Sequence, residues 1–118
     1  MALNVANTIT ITAKTSWSNV TTVTSNVLSN AASSGQIYKI NNIMLSNYSV
    51  STITSNVIVS RSGTGNFYVV GNISIPLNSL MTVVGKDTQI YLEEGDTLQV
   101  NASANSSIHM SVGYELLS

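Results

Sequence analysis

Apolar residues along this chain recur at alternate positions, and the three-to-four spacing of an amphipathic helix is nearly absent. Near the start, Val5, Ile9, Ile11 and Ala13 share one parity and Thr8, Thr10, Thr12 and Lys14 the other, which predicts a strand. Trp17 follows in a short polar stretch, and a second segment over about residues 20–28 sets Val23 and Val27 against Thr22 and Thr24. The small-residue run from Asn30 to Gly35 predicts a loop. From Gln36 to Leu45 apolar side chains occupy both parities (Ile37, Tyr38, Ile40, Ile43, Met44), as in a central or bulged strand. Ile53, Val57 and Val59 line the next strand, and Arg61-Ser-Gly-Thr-Gly65 predicts a tight hairpin. The return strand carries Phe67, Val69, Gly71, Ile73 and Ile75, and Pro76 ends it by withdrawing a ladder donor. Short strands at 80–84 and 89–92 flank Gly85-Lys86-Asp87, and Glu93-Glu94-Gly95-Asp96 forms a turn. Leu98, Val100 and Ala102 form one more strand, and Ile108, Met110, Val112 and Tyr114 close the set.

Eight or so short strands at this spacing predict an all-β, antiparallel β-sandwich or barrel. The 118 residues fit one domain. Residues 35–118 are its predicted core, and residues 1–34 are either a strand of it or an extended N-terminal arm. Aromatics make up only 6% of the chain, so the core must be filled by Val, Ile, Leu and Met.

Charge changes the picture more than size does. Only 8% of residues are charged and the net charge is −1, while Ser, Thr and Asn supply about two residues in five. Hydroxyls and amides cost far less to desolvate than ammonium or carboxylate groups. A surface made of them can pack against neighbours without stranding charge, which predicts an oligomer or a bound subunit. The four cations (Lys14, Lys39, Arg61, Lys86) are scattered, so nucleic acid is not an expected partner. No apolar run approaches the roughly 20 residues of a membrane helix, so no membrane partner is expected either. The start of the chain has neither a basic region nor an apolar run, which predicts synthesis in a cytoplasm. With no cysteine, disulfides, thiolate metal sites and Cys nucleophiles are excluded.

Candidate chemistry is sparse. His109, the single histidine, falls on the polar parity of the last strand and lacks companions for zinc or a triad, so it reads as a surface or interface residue. Glu93, Glu94 and Asp96 are the one acidic cluster; their spacing is not that of a calcium loop, and a solvated charged turn is expected. Asp87 and Glu93 as a glycosidase pair have nothing to fix their separation. Gly63-Thr64-Gly65 runs on into a strand and so serves a turn, not a phosphate. Trp17 and the tyrosines (Tyr38, Tyr48, Tyr68, Tyr91, Tyr114) are spread one per element; core or interface packing is expected, with a glycan- or base-stacking surface as the alternative. Asn-x-Ser/Thr sequons at Asn19, Asn47, Asn72, Asn101 and Asn105 follow from composition. No catalytic residue, metal or cofactor is therefore expected. The expected interface residues are Val5, Ile9, Ile11, Trp17 and Tyr48.

The stretch from Ile75-Pro76 through Val83-Val84-Gly85-Lys86-Asp87-Thr88 to Ile90-Tyr91-Leu92-Glu93-Glu94-Gly95-Asp96, with Tyr114-Glu115 near the end, resembles small virion structural proteins of tailed bacteriophages, especially cyanophages. Tyr38 to Ile43 is similar to that family's middle strand, and the resemblance covers about Gln36 to Ser118. It implies a jelly-roll-like sandwich and a non-enzymatic protein of the virion. The role it suggests best is a capsid decoration (cement) protein, trimeric by preference, that binds the major capsid protein on the outer surface of the mature head. A tail, fibre or baseplate module that binds host glycan is the alternative.

Overall fold

The computed structural model describes residues 10–85 and 87–118; Val5 and Ile9 lie outside them. Nine strands follow in order: β1 (Ile11–Val20), β2 (Ser25–Ser29), β3 (Ile37–Asn47), β4 (Ile53–Arg61), β5 (Gly65–Ile75), β6 (Ser79–Val84), β7 (Ile90–Leu92), β8 (Asp96–Ala102) and β9 (Ile108–Leu117). Every pairing is antiparallel. One sheet runs β1-β9-β3-β6, with β7 also on β3, and the other runs β2-β8-β4-β5. β6 pairs with Ile43–Asn47 and β7 with Tyr38–Ile40, so the two are one edge strand interrupted by the turn after Val84. Outside that interruption the chain changes sheet at every connection except the β4–β5 hairpin. That winding makes the sandwich a jelly roll.

The elements form where the alternation predicts them, with two shifts at the start. β1 continues through Trp17 to Val20, and the parity holding Ile11 and Trp17 faces outward, leaving them 62% and 74% exposed. β1 is an edge strand, and Val20, on the opposite parity, is the residue it adds to the core. β2 is shorter than expected: Val23 lies in the preceding connection, 71% exposed, and Leu28 supplies the buried contact beyond a bulge at Asn26/Leu28. β3 is central and bulged, as its two-sided apolar character predicts. Pro76 follows Ile75 at the end of β5. Gly63 and Gly65 at φ 76° and 135° shape the β4–β5 turn, closed by Thr64 N donating to Arg61 O at 3.0 Å.

Between the sheets lie Ile40, Ile43, Leu45, Val57, Ile75, Leu92, Leu98, Val100, Ile108, Met110 and Val112, all buried. No aromatic is fully buried among them. Tyr38 and Tyr114 pack at the margin as a stacked pair with centroids 5.5 Å apart. Burial, with the neighbouring Tyr38, raises the pKa of the Tyr114 hydroxyl.

At the β3 bulge Asn42 Oδ1 accepts from Gly113 N at 3.0 Å. A Cβ on Gly113 would come within 2.9 Å of that oxygen. Gly113→Ala is therefore expected to displace the Asn42 amide and cost about 1–2 kcal/mol, read from urea unfolding.

Candidate binding surface

The jelly roll sorts the connections between its two ends. Residues 21–24, 48–52, 76–78 and 103–107 join strands at one end, and 30–36, 62–64 and 93–95 at the other. The charged groups are sorted with them. Arg61, Glu93, Glu94 and Asp96 cluster at the second end, and Lys39 pairs with Glu115 at 3.6 Å in the same half. No Asp, Glu, Lys or Arg occurs in residues 15–38, 40–60 or 97–114. Among the described residues the first end therefore has no Asp, Glu, Lys or Arg, and it exposes Val23, Val50 and Leu77.

That neutral end is laced together. Ala102 N donates to Thr21 O at 2.9 Å, Tyr48 N to Ser107 O at 3.0 Å, and Thr22 N to Asn105 Oδ1 at 2.9 Å. Asn47, 1% exposed, organises the β3–β4 connection. Its Nδ2 donates to Ser51 O at 2.8 Å and Ile75 O at 2.9 Å, while its Oδ1 accepts from Ser49 N at 2.9 Å and Ser49 Oγ at 2.7 Å. With all four amide valences used in the interior, Asn47 is not an accessible glycosylation acceptor.

Below this end, register gathers side chains that are far apart in sequence. Asn19, His109 and Ser46 lie side by side across β1, β9 and β3, and Trp17 stands one step further down β1. Tyr48, 44% exposed, stacks on His109 with centroids 4.3 Å apart. Trp17, Ser18, Asn19, Ser46 and His109 line an open depression of about 400 Å³. Trp17 and Tyr48, two expected interface residues, thus meet around His109. Ile11 does not join them; it pairs with Leu117 at the far end of β1, about 20 Å away at strand rise. Asn19 and Ser46 were not singled out from the sequence as site residues, because nothing in the local pattern tells which outward residues of three separate strands share a row.

The opposite face of the sandwich is self-satisfied. Asn56 Nδ2 donates to Asn101 Oδ1 at 2.8 Å, Asn101 Nδ2 to Thr24 Oγ1 at 2.9 Å, Gln99 Nε2 to Asn26 Oδ1 at 2.9 Å, and Asn72 N to Asn56 Oδ1 at 2.7 Å. This neutral amide ladder does the cross-strand work that charged pairs do in ordinary sheets.

The acidic turn departs from the expected solvated cluster. Asp96 is fully buried and takes Arg61 in a fork, with Nε to Oδ1 at 2.8 Å and Nη2 to Oδ2 at 2.9 Å. Glu93 N also donates to Asp96 Oδ2 at 2.9 Å, and the Glu93 carboxylate reaches Arg61 Nη2 at 3.0 Å. Glu94 Oε2 accepts from Gly35 N at 2.7 Å. The turn is folded back because Arg61 sits opposite Asp96 in the β4–β8 register. Burial works to raise the Asp96 pKa, but the Arg61 hydrogen bonds, the Glu93 amide and the Arg61 charge outweigh it and hold the carboxyl below its usual range. Hydrogen bonding to Asp96 is likewise the main cause that raises the Arg61 pKa. Among the described residues no group of three or more His, Asp or Glu is placed to hold a metal ion. Asp87 lies in the β6–β7 connection, while Glu93 is engaged with Arg61.

No family model and no curated protein matches this sequence. In fold it is similar to a solved structure from Bacillus endospore appendages, described as disulfide-linked pili. The TM-score is 0.57 at 10% identity, covering 93% of this chain and 87% of that one. At that identity the likeness is one of fold.

Proposed function

We propose that this chain is a non-enzymatic structural protein of a tailed-phage virion, a capsid decoration protein that seats its neutral end on the major capsid protein of the expanded head. The observation that carries the reading is the sorting of charge. Among the described residues one end of the jelly roll is free of Asp, Glu, Lys and Arg and exposes Val23 (71%), Val50 (85%) and Leu77 (50%). Burying such a surface strands no ion. The sequence resemblance of Gln36 to Ser118 to virion structural proteins supports the same reading. The pilus subunit of similar fold adds an assembly-forming jelly roll, although its linkage is by disulfide and this chain has no cysteine. A subunit that binds only the expanded lattice stabilises that state by mass action. Contacts made by neutral groups are little screened by salt.

The purified chain is expected to bind emptied, expanded heads of its phage and to raise their disruption temperature, with little change in affinity on raising salt. Val23→Asp, Val50→Asp and Leu77→Asp combined should abolish binding and leave the fold intact, because each new carboxylate is solvated in the free protein and stranded in the contact. Native mass spectrometry should show a trimer. Absence of the chain from purified particles, or full binding by the triple variant, would refute the reading.

A further inference from the structure

The geometry points to a binding site for a neutral sugar ring on the outer face of the β1-β9-β3 sheet, with Trp17 as the stacking platform and Asn19, Ser46 and His109 as the hydrogen-bonding floor. The indole is 74% exposed and borders a depression of about 400 Å³, within the size range of small-ligand sites. A pyranose presents an apolar C–H face to an aromatic ring and hydroxyls around its rim, and the lining offers both complements. Asn19 brings an amide donor and acceptor, Ser46 brings a hydroxyl, and His109 brings an imidazole.

Two observations favour a sugar over other occupants. First, the polar atoms of the floor are free: among the described residues no hydrogen bond uses the side chains of Asn19, Ser46 or His109. The amides on the outer face of the other sheet are tied to one another instead. Second, no Asp, Glu, Lys or Arg lies in the segments that build the site, residues 15–38, 40–60 and 97–114. An anionic sugar, a nucleotide or a phosphate calls for cations, and a lipid tail calls for an apolar floor. A neutral polyol fits a site that is aromatic at its edge and uncharged at its base. The site is also built to hold its shape. Stacking on His109 and the Tyr48 N–H bond to Ser107 fix Tyr48, while Asn19, His109 and Ser46 ride on paired strands.

Trp17 is the chain's single tryptophan, so its emission reports this site alone. The full chain is titrated to about 100 mM, where millimolar affinities saturate, with methyl glycosides of glucose, galactose and mannose, with N-acetylglucosamine and with lactose. At least one is expected to shift Trp17 emission and the amide resonances of Asn19 and Ser46, and 3′-sialyllactose should bind no better than lactose. Asn19→Ala, and Trp17→Ala followed by NMR, should each weaken binding at least about tenfold with thermal unfolding unchanged. A silent panel, shifts confined to other residues, or undiminished binding by Asn19→Ala would overturn the assignment. So would loss of head binding by Trp17→Ala in a chain that answers no sugar, which would mark the surface as a protein contact. Sugar binding and head binding rest on different residues, so either can fail alone.

Discussion

Replacing Asn47 by alanine is expected to lower stability by about 2–4 kcal/mol, one of the two largest single-residue effects we anticipate. The side chain is 1% exposed and makes four hydrogen bonds, two given and two received. Truncation orphans the carbonyls of Ser51 and Ile75 together with the Ser49 donors. Each buried polar group left unpaired costs about 1–3 kcal/mol, less where the loop relaxes and admits water. For a chain of this size the midpoint of thermal unfolding should fall by roughly 10–15 °C. Asn47→Asp should do worse at neutral pH, because it aims a carboxylate at two carbonyl oxygens and raises the pKa of that group in the folded state. Its deficit should then shrink as pH falls and the new carboxyl is protonated. The effect reaches function as well. Asn47 shapes the connection carrying Tyr48, so the Tyr48–His109 stack should loosen, visible as line broadening at His109 in NMR spectra. An Asn47→Ala chain with the wild-type melting temperature would show that the connection holds itself.

The second large effect is expected at Asp96. Its carboxylate is inaccessible to solvent, forked onto Arg61 and bonded to the Glu93 amide. Asp96→Asn should cost about 2 kcal/mol and Asp96→Ala about 3 kcal/mol, because charge-assisted bonds in the interior are the expensive ones to lose. The fork also predicts a pH dependence. The folded pKa of Asp96 lies below its ordinary value of 3.8, so its contribution is complete above that value and is lost as pH falls through the folded one. The gap in melting temperature between wild type and Asp96→Asn should be constant from about pH 5 to 8 and shrink as pH falls below the ordinary value of 3.8. A gap that persists undiminished in acid would assign the stabilisation to shape instead of charge. Because this lock sits at the charged end, opposite Val23, Val50 and Leu77, its loss should lower stability without altering head binding of the molecules that remain folded.

Much of the fold was legible because strand signals are local. The strand at Phe67–Ile75, the two-sided apolar run of β3, the Arg61–Gly65 turn and the stop at Pro76 each depend on neighbours in sequence, and each stands where predicted. The strict alternation of the Phe67–Ile75 strand does not hold, because two register shifts against β4 leave Phe67 exposed and both Val69 and Val70 half-buried. β1 was harder to place on the correct face. The Val5, Ile9, Ile11, Ala13 parity looks like a core face, yet Ile11 and Trp17 point outward and Val20 is the core contact. An edge strand can carry apolar residues on its outer face at little cost, so the pattern alone does not say which face is inside. The acidic turn misled for a related reason. Three carboxylates within four residues read as solvated until a distant arginine, opposite in the register, is seen to claim two of them.

Composition and local alternation were enough to specify an all-β chain with a small-aliphatic core, a neutral hydroxyl and amide surface, and long segments empty of Asp, Glu, Lys and Arg. All of these are set by composition and by contacts along the chain. Tertiary structure alone decided that the connections 21–24, 48–52, 76–78 and 103–107, none of which carries Asp, Glu, Lys or Arg, gather at one end of a jelly roll. It also joined Arg61 to Asp96 and put Trp17, Asn19, Ser46 and His109 around one depression, with Tyr48 stacked on His109. The reason is that cross-strand register is fixed by the whole sandwich closing over its core, and it brings together positions that no local alternation connects.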